Sequence, residues 1–287
     1  MTGQYTSFSL KEAGVEIGES ITLMMKMGRS GSYPASNIQK GLVLVFRGTD
    51  LSEEGIGFGV PLIRCGWEAV FPGSACITLK REGDRTVVNT DYDLRLVERM
   101  IVKEKKRIES RTFYRITGYL STLHRNCPPL RKILALSSGI VRRITGMNNQ
   151  FEVCNSRGIV KVVYTIEPGV GLIHVSVDAS GVKECETKEI MIMNEQGASH
   201  FEQYTDTCGI ALTGDEIGTW DETFADEASF IDCRNNIEFT LQNVKGARVF
   251  RGREHVPGRL AWAGLACVLP RSKACFTYSI RVGRHRV

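Results

Sequence analysis

The stretch FTYSIRV, residues 276–282, alternates apolar and polar side chains without a break. Successive side chains of a β-strand point to opposite faces, so this pattern predicts a strand with one buried and one solvated face. Runs of strand length recur along the whole chain, at residues 41–46, 74–79, 86–88, 93–102, 151–154, 159–166, 172–178, 190–193, 210–212, 237–241, 248–250 and 260–269. The sequence therefore predicts a protein built mainly from β-strands.

Turn signals separate these strands every ~8–12 residues, which is typical of all-β sandwiches. Long helical patterns do not alternate with the strands, so a doubly wound α/β fold is not expected. One stretch differs: PPLRKILALSSGIVRRIT, residues 128–145, has helical spacing and predicts a single amphipathic helix. We predict a large antiparallel β-sandwich forming one domain over residues 1–287. Two β halves, 1–146 and 147–287, are the alternative.

Composition narrows the class of protein. Of the 287 residues, 42% are hydrophobic and 24% are charged, which excludes a disordered or low-complexity chain. No run of ~18 apolar residues occurs, so no membrane association is predicted. Because the first residues lack a secretory signal and the nine cysteines form no C-x-x-C pair, we expect buried thiols and a cytoplasmic location.

Charge is distributed unevenly along the chain. Residues 95–145 carry 13 Lys and Arg against 3 Glu, whereas residues 189–233 carry 11 acidic residues and no Lys or Arg. A basic segment of this kind, with aromatic residues between the arginines of RTFYR at 111–115, could bind a polyanion such as nucleic acid. The same segment also fits an ordinary solvated surface, and we keep a non-catalytic polyanion-binding or scaffold protein as the alternative function.

Motifs for cofactors and metals are missing from the sequence. The glycines of EGIGFGVP, residues 54–61, precede a strand rather than a helix, so they do not form a phosphate-binding loop. G-x-S-x-G and H-E-x-x-H are absent as well. We therefore predict no cofactor and no metal site.

The segment HFEQYTD, residues 200–206, supplies the candidate catalytic residues. If it is a strand, His200, Glu202 and Tyr204 project from one face, where Glu202 could act as a base and His200 as an acid. His255 is a second candidate acid. An ordinary polar outer face gives the same pattern.

Candidate binding residues lie further along the chain. Arg251 and Arg253 have guanidinium groups that could hold an anionic group of a substrate. We expect the segment 251–255 to approach the face of His200, Glu202 and Tyr204 across the sheet. Trp220 and Trp67 have rings on which the apolar face of a sugar could stack. A charged hairpin and a Trp that closes one end of the core are the structural alternatives.

With these residues in view, the chain resembles the galactose-mutarotase-like β-supersandwich proteins, which include aldose epimerases and the sandwich domains of polysaccharide lyases. The resemblance is architectural and rests on chain length, on many strands with few helices, and on EGIGFGVPLIRCGWEAVFPGSACITL, residues 54–79. It implies a carbohydrate-binding or carbohydrate-modifying protein whose partner is a carbohydrate. Whether the protein is an enzyme, and its oligomeric state, stay open.

Overall fold

A computed structural model describes residues 14–18, 20–28, 38–65, 68–103, 106–107, 147–182, 188–256, 260–270 and 273–285. Nineteen strands and two short 3-10 helices form in these ranges. The strands are β1 (Gly14–Gly18), β2 (Ile21–Gly28), β3 (Ile38–Phe46), β4 (Thr49–Asp50), β5 (Gly57–Cys65), β6 (Glu68–Glu82), β7 (Arg85–Lys103), β8 (Lys106–Arg107), β9 (Met147–Glu167), β10 (Leu172–Asp178), β11 (Lys188–Gln196), β12 (Gln203–Asp206), β13 (Ala211–Thr213), β14 (Thr219–Thr223), β15 (Ala228–Asp232), β16 (Ile237–Gln242), β17 (Arg248–Val256), β18 (Leu260–Leu269) and β19 (Cys275–Arg284). The 3-10 helices are Pro168–Val170 and Gly214–Ile217.

The strands pair antiparallel wherever their register is described, and they form one hydrogen-bonded network. Two rows of neighbouring, hydrogen-bonded strands position the candidate site residues. The first row runs β5, β11, β18, β17 and β14. The second runs β9, β10, β19, β16, β15 and β12. The predicted mainly β, sandwich-like fold is confirmed.

The core lies where apolar faces of both rows meet. Phe276, Tyr278, Ile280 and Val282 of β19 are all buried, as the alternation predicts. They join side chains of the first row, such as Leu265 of β18, in one apolar cluster. Burying this much apolar surface is the main stabilising contribution to such a fold. Ser279 departs from the pattern, since it lies on the polar face and is still only 4% exposed.

Two of the sequence predictions need correction, and a third concerns residues that the structure does not describe. Residues 151–154 and 159–166 belong to one strand, β9, rather than to two. Of the five cysteines with described surroundings, only Cys267 is buried, because the other four sit on outward-facing or turn positions. All five are free thiols. The predicted helix at 128–145 lies outside the described residues.

The chain divides into two compact units, one comprising Met1–Leu96 with Cys154–Val287 and the other Val97–Val153. All of the candidate residues with described side chains belong to the first unit, and the site below is built within it alone. The extent of the folding domain stays a prediction. None of the helical segments in the described ranges has the length and apolar character needed to cross a membrane.

Candidate functional site

Strand β17 has two faces, and the predicted binding residues Arg251 and Arg253 share one of them. Phe250 packs against an apolar cluster formed by Val60, Met193 and Ala266, and Gly252 and Glu254 follow it on the same face by the two-residue period. Arg251 lies on the opposite face, where its guanidinium carbon is 5.3 Å from the centre of the Tyr204 ring. Phe250 and Arg251 therefore mark two separate faces of β17.

Two tryptophans stack on the Phe250 face of β17, and we call them the tryptophan pair. The rings of Trp220 and Trp262 have centroids 4.6 Å apart and planes inclined by 15°. Trp262 is 7% exposed, whereas Trp220 is only partly buried. The buried indole thus supports the second indole, which keeps surface open to solvent.

The backbone at Trp220 is unusual. The pairing of β14 with β17 shifts register between Thr219 and Asp221, so Trp220 is the extra residue of a β-bulge. Its φ is +64°, in the left-handed region that bulky side chains rarely adopt. A bulge re-aims a side chain, and a strained backbone persists only where the surroundings hold it. Here the stacking on Trp262 accompanies the strained conformation.

Gly252 makes room for the tryptophan pair. A Cβ atom at this position would lie 2.9 Å from the Trp220 backbone nitrogen and 2.9 Å from Cη2 of Trp262. Only a residue without a side chain fits under the buried indole. The requirement for glycine is therefore a matter of close packing, and the sequence shows it only as an isolated glycine within a strand.

Carboxyl groups share the face of the tryptophan pair. Glu254 stands directly opposite Trp262 in the β17–β18 register. Glu195 of β11 follows Met191 and Met193 on this face and lies opposite Gly264 of β18. Burial raises the pKa of Glu195 to about 7, although a hydrogen bond from the Ile56 backbone N–H and the charge of Lys40 oppose the rise.

The opposite face of β17 holds Arg251 and Arg253 inside a polar network. Arg251 donates to the Glu222 carbonyl oxygen and lies 3.9 Å from Asp221, and its buried Nε has no hydrogen-bond partner. Arg253 donates twice to the carbonyl oxygen of Ala198. Both guanidinium groups are largely buried, so they fix neighbouring turns of the chain.

Tyr204 belongs to this network and to the core. Its side chain is fully buried, and its hydroxyl contacts the Asp206 carboxylate at 2.8 Å and the Thr223 hydroxyl at 3.1 Å. Burial raises the pKa of Tyr204 well above its ordinary value. Arg251 lies against the Tyr204 ring in the interior, not on a solvated face shared with His200 and Glu202.

His200 lies beside a buried carboxylate that the sequence did not single out. Nδ1 of His200 is 3.7 Å from Oδ2 of Asp232, which is completely buried. Asp232 raises the pKa of His200, against the opposing effect of burial. Backbone N–H groups of Arg234 and Asn235 and the side-chain amide of Asn235 all donate to Asp232, which fixes its orientation.

The prediction that His200, Glu202 and Tyr204 share one solvated strand face is wrong. Strand β12 begins only at Gln203, because residues 198–200 form a turn whose backbone bonds back to Gly197. Tyr204 points into the core. Glu202 is partly exposed and lies 3.3 Å from the exposed Arg234. His255 is exposed at the end of β17, and Trp67 lies outside the described residues.

Sequence reasoning missed Trp262, Asp232 and Glu195. Trp262 lies in the apolar run LAWAGLACVL and looks like an ordinary core residue, so only its stacking on Trp220 sets it apart. Glu195 carried a readable signal, since a carboxylate follows the apolar run IMIM, residues 190–193, with only Asn194 between them. No group of three or more His, Cys, Asp or Glu side chains in the described ranges is placed to hold a metal ion.

Comparison with known proteins gives only distant structural likenesses. No protein family and no curated protein matches the chain. A 4-alpha-glucanotransferase from Thermococcus litoralis is 8% identical with a TM-score of 0.43, covering 96% of this chain and 37% of its own. The alpha-galactosidase AgaA from Geobacillus stearothermophilus is 7% identical with a TM-score of 0.42, and the match covers 96% of this chain and 41% of the galactosidase. The protein HI1317 is 7% identical with a TM-score of 0.36, and the match covers 97% of this chain and 98% of HI1317.

The chain thus spans about two fifths of the length of the glucanotransferase and the galactosidase. The likeness is weak and architectural.

Proposed function

We propose that this protein binds carbohydrate, and that the tryptophan pair is its sugar-stacking surface. The observation that carries the proposal is the conformation of Trp220. A bulky residue is held at positive φ in a β-bulge, and its indole is supported from below by a buried indole. Strain of this kind costs on the order of 1–3 kcal/mol and clusters at functional sites.

The chemistry of the face suits a sugar. A pyranose ring has an apolar face of C–H groups that can pack on an indole, and hydroxyl groups around its edge that need hydrogen-bond partners. The carboxylate of Glu254, which lies opposite Trp262 on this face, can accept hydrogen bonds from such hydroxyls. The apolar cluster beneath keeps the platform rigid.

Catalysis on the carbohydrate is the finer part of the proposal. His200 beside the fixed carboxylate of Asp232 is a candidate acid, and the partly exposed Glu202 is the candidate base. Arg251 keeps one unpaired donor, Nε, but its burial favours a structural role over anchoring a substrate. Glu202→Gln, which keeps shape and removes proton acceptance, should abolish turnover of any bound sugar. Unchanged turnover would remove Glu202 from the mechanism.

The test of binding compares the partly buried Trp220 with the exposed Phe224. We expect Trp220→Ala to weaken binding to glycans identified on an array by about tenfold or more, since it removes the stacking surface. Phe224→Ala is the matched control, because Phe224 is 85% exposed and stacks on no ring of the described residues. Equal binding by the wild type and both variants, or no glycan binding by the folded wild type, would overturn the proposal.

A further inference from the structure

A shallow groove crosses the outer face of three neighbouring strands, β9, β10 and β19, in the second row. Two of its register lines carry mainly short hydroxyl side chains, together with Val163 and His174. One line is Val163, Ser176 and Thr277, and the next is Thr165, His174 and Ser279. The lines on either side carry charged or bulky residues, with Lys161 and Asp178 on one side and Glu167, Leu172 and Arg281 on the other. The short side chains between longer ones create the groove.

The groove has a volume of 190 Å³, and Asn243 closes it beside the strands. Apart from Val163 and the buried Val175 and Tyr278, the residues that line it carry hydroxyls, one amide and one imidazole. Ser279 forms part of the floor and is 4% exposed. A concave site with a few convergent polar groups is the usual form of a small-molecule site.

His174 is held in a fixed orientation at the groove. Its Nδ1 is 3.0 Å from the Ser279 hydroxyl oxygen, and its Nε2 is 3.7 Å from a carboxylate oxygen of Glu167. Arg85 pairs with that same oxygen at 2.7 Å. The charge of Glu167 is therefore balanced by an arginine, and no unpaired charge among the described lining residues attracts an ion into the groove.

We propose that this groove binds a small neutral molecule rich in hydroxyl groups, such as a monosaccharide or a polyol. Each hydroxyl of Thr165, Ser176, Thr277 and Ser279 can both donate and accept a hydrogen bond, as can the amide of Asn243. Sugar hydroxyls have the same dual character, so donors and acceptors match without a charged partner. A ligand with a carboxylate or phosphate would meet the carboxylate of Glu167, and none of the described lining residues is a Lys or Arg.

The groove is separate from the tryptophan pair. None of its lining residues belongs to β14, β17 or β18, and the two surfaces lie on different rows of strands. The inference therefore goes beyond the proposed function and does not depend on it.

The experiment follows the imidazole resonances of His174 by NMR while D-glucose or D-sorbitol is added, with the His174 signals assigned from a His174→Gln variant. We expect a saturable shift of these signals with the neutral ligands. D-glucuronate and D-glucose 6-phosphate should bind about tenfold more weakly or not at all. Trp220→Ala should leave the shift intact, which separates this site from the tryptophan pair.

Ser176→Phe fills the groove from an exposed position and should abolish the shift. Thr78→Phe is the matched control, an exposed strand residue outside the groove. If Ser176→Phe is unfolded, the His174→Gln variant replaces it. In that variant, the backbone amide shifts that the sugar causes in the wild type should be lost. The proposal is overturned if neutral ligands produce no shift, if the filled groove still responds, or if the anionic ligands bind better.

Discussion

Gly252→Ala is the sharpest test of how the tryptophan pair is built. The added Cβ would lie 2.9 Å from the Trp220 backbone nitrogen, 2.9 Å from Cη2 of Trp262 and 3.0 Å from Cζ3 of the same ring. None of these atoms is the free end of a flexible side chain. Either the strand pair β14–β17 separates or the buried indole moves away from Trp220.

Overpacking of this kind typically costs about 1–3 kcal/mol, and we expect a loss of unfolding free energy in that range. Urea unfolding followed by circular dichroism measures the loss. Tryptophan fluorescence of the folded variant should also change, because the stacked arrangement of Trp220 and Trp262 is disturbed. Glycan binding that depends on Trp220 should weaken together with the fluorescence change.

Gly283→Ala is the control substitution. Gly283 also lies in a strand, β19, and a Cβ there would meet no atom within 4 Å. It should be neutral or stabilise the fold, since alanine restricts the unfolded chain by about 0.4–1 kcal/mol relative to glycine. The packing explanation is refuted if Gly252→Ala unfolds at the wild-type urea concentration with unchanged tryptophan fluorescence.

Two further predictions concern titration. Burial raises the pKa of Glu195 from 4.5 to about 7, so between these pH values only the unfolded chain ionises this group. Unfolding free energy should therefore fall as pH rises from about 4.5 to 7, by up to about 3 kcal/mol, and Glu195→Gln should flatten that part of the profile; an identical slope in the variant would contradict it. For His200, Asp232→Asn should lower the imidazole pKa measured by NMR titration, because the carboxylate is the main cause of its rise. An unchanged His200 pKa in a folded variant would show that Asp232 does not set it.

How far the sequence could predict the fold depends on the length of each pattern. FTYSIRV alternates over seven residues, and its apolar members are the ones that became buried in β19. In HFEQYTD the same period was present, but the strand formed only over its last four residues. Backbone hydrogen bonds to Gly197 take His200 into a turn, and Arg251 and Phe230 surround Tyr204 in the interior. A two-residue period identifies which side chains share a face, and it cannot tell which face is covered.

The sequence by itself determined that this chain forms antiparallel strands, because alternation of side chains along a strand is a local property. Tertiary structure decided the site. Trp220 and Trp262 are 42 residues apart and meet only because β17 pairs with both β14 and β18. Asp232 reaches His200 because β12 and β15 pair, and the groove at His174 exists because β9, β10 and β19 align their short side chains in register. Contacts of this kind depend on strand register and on the close approach of backbones at residues such as Gly252, and neither is written in any local stretch of the sequence.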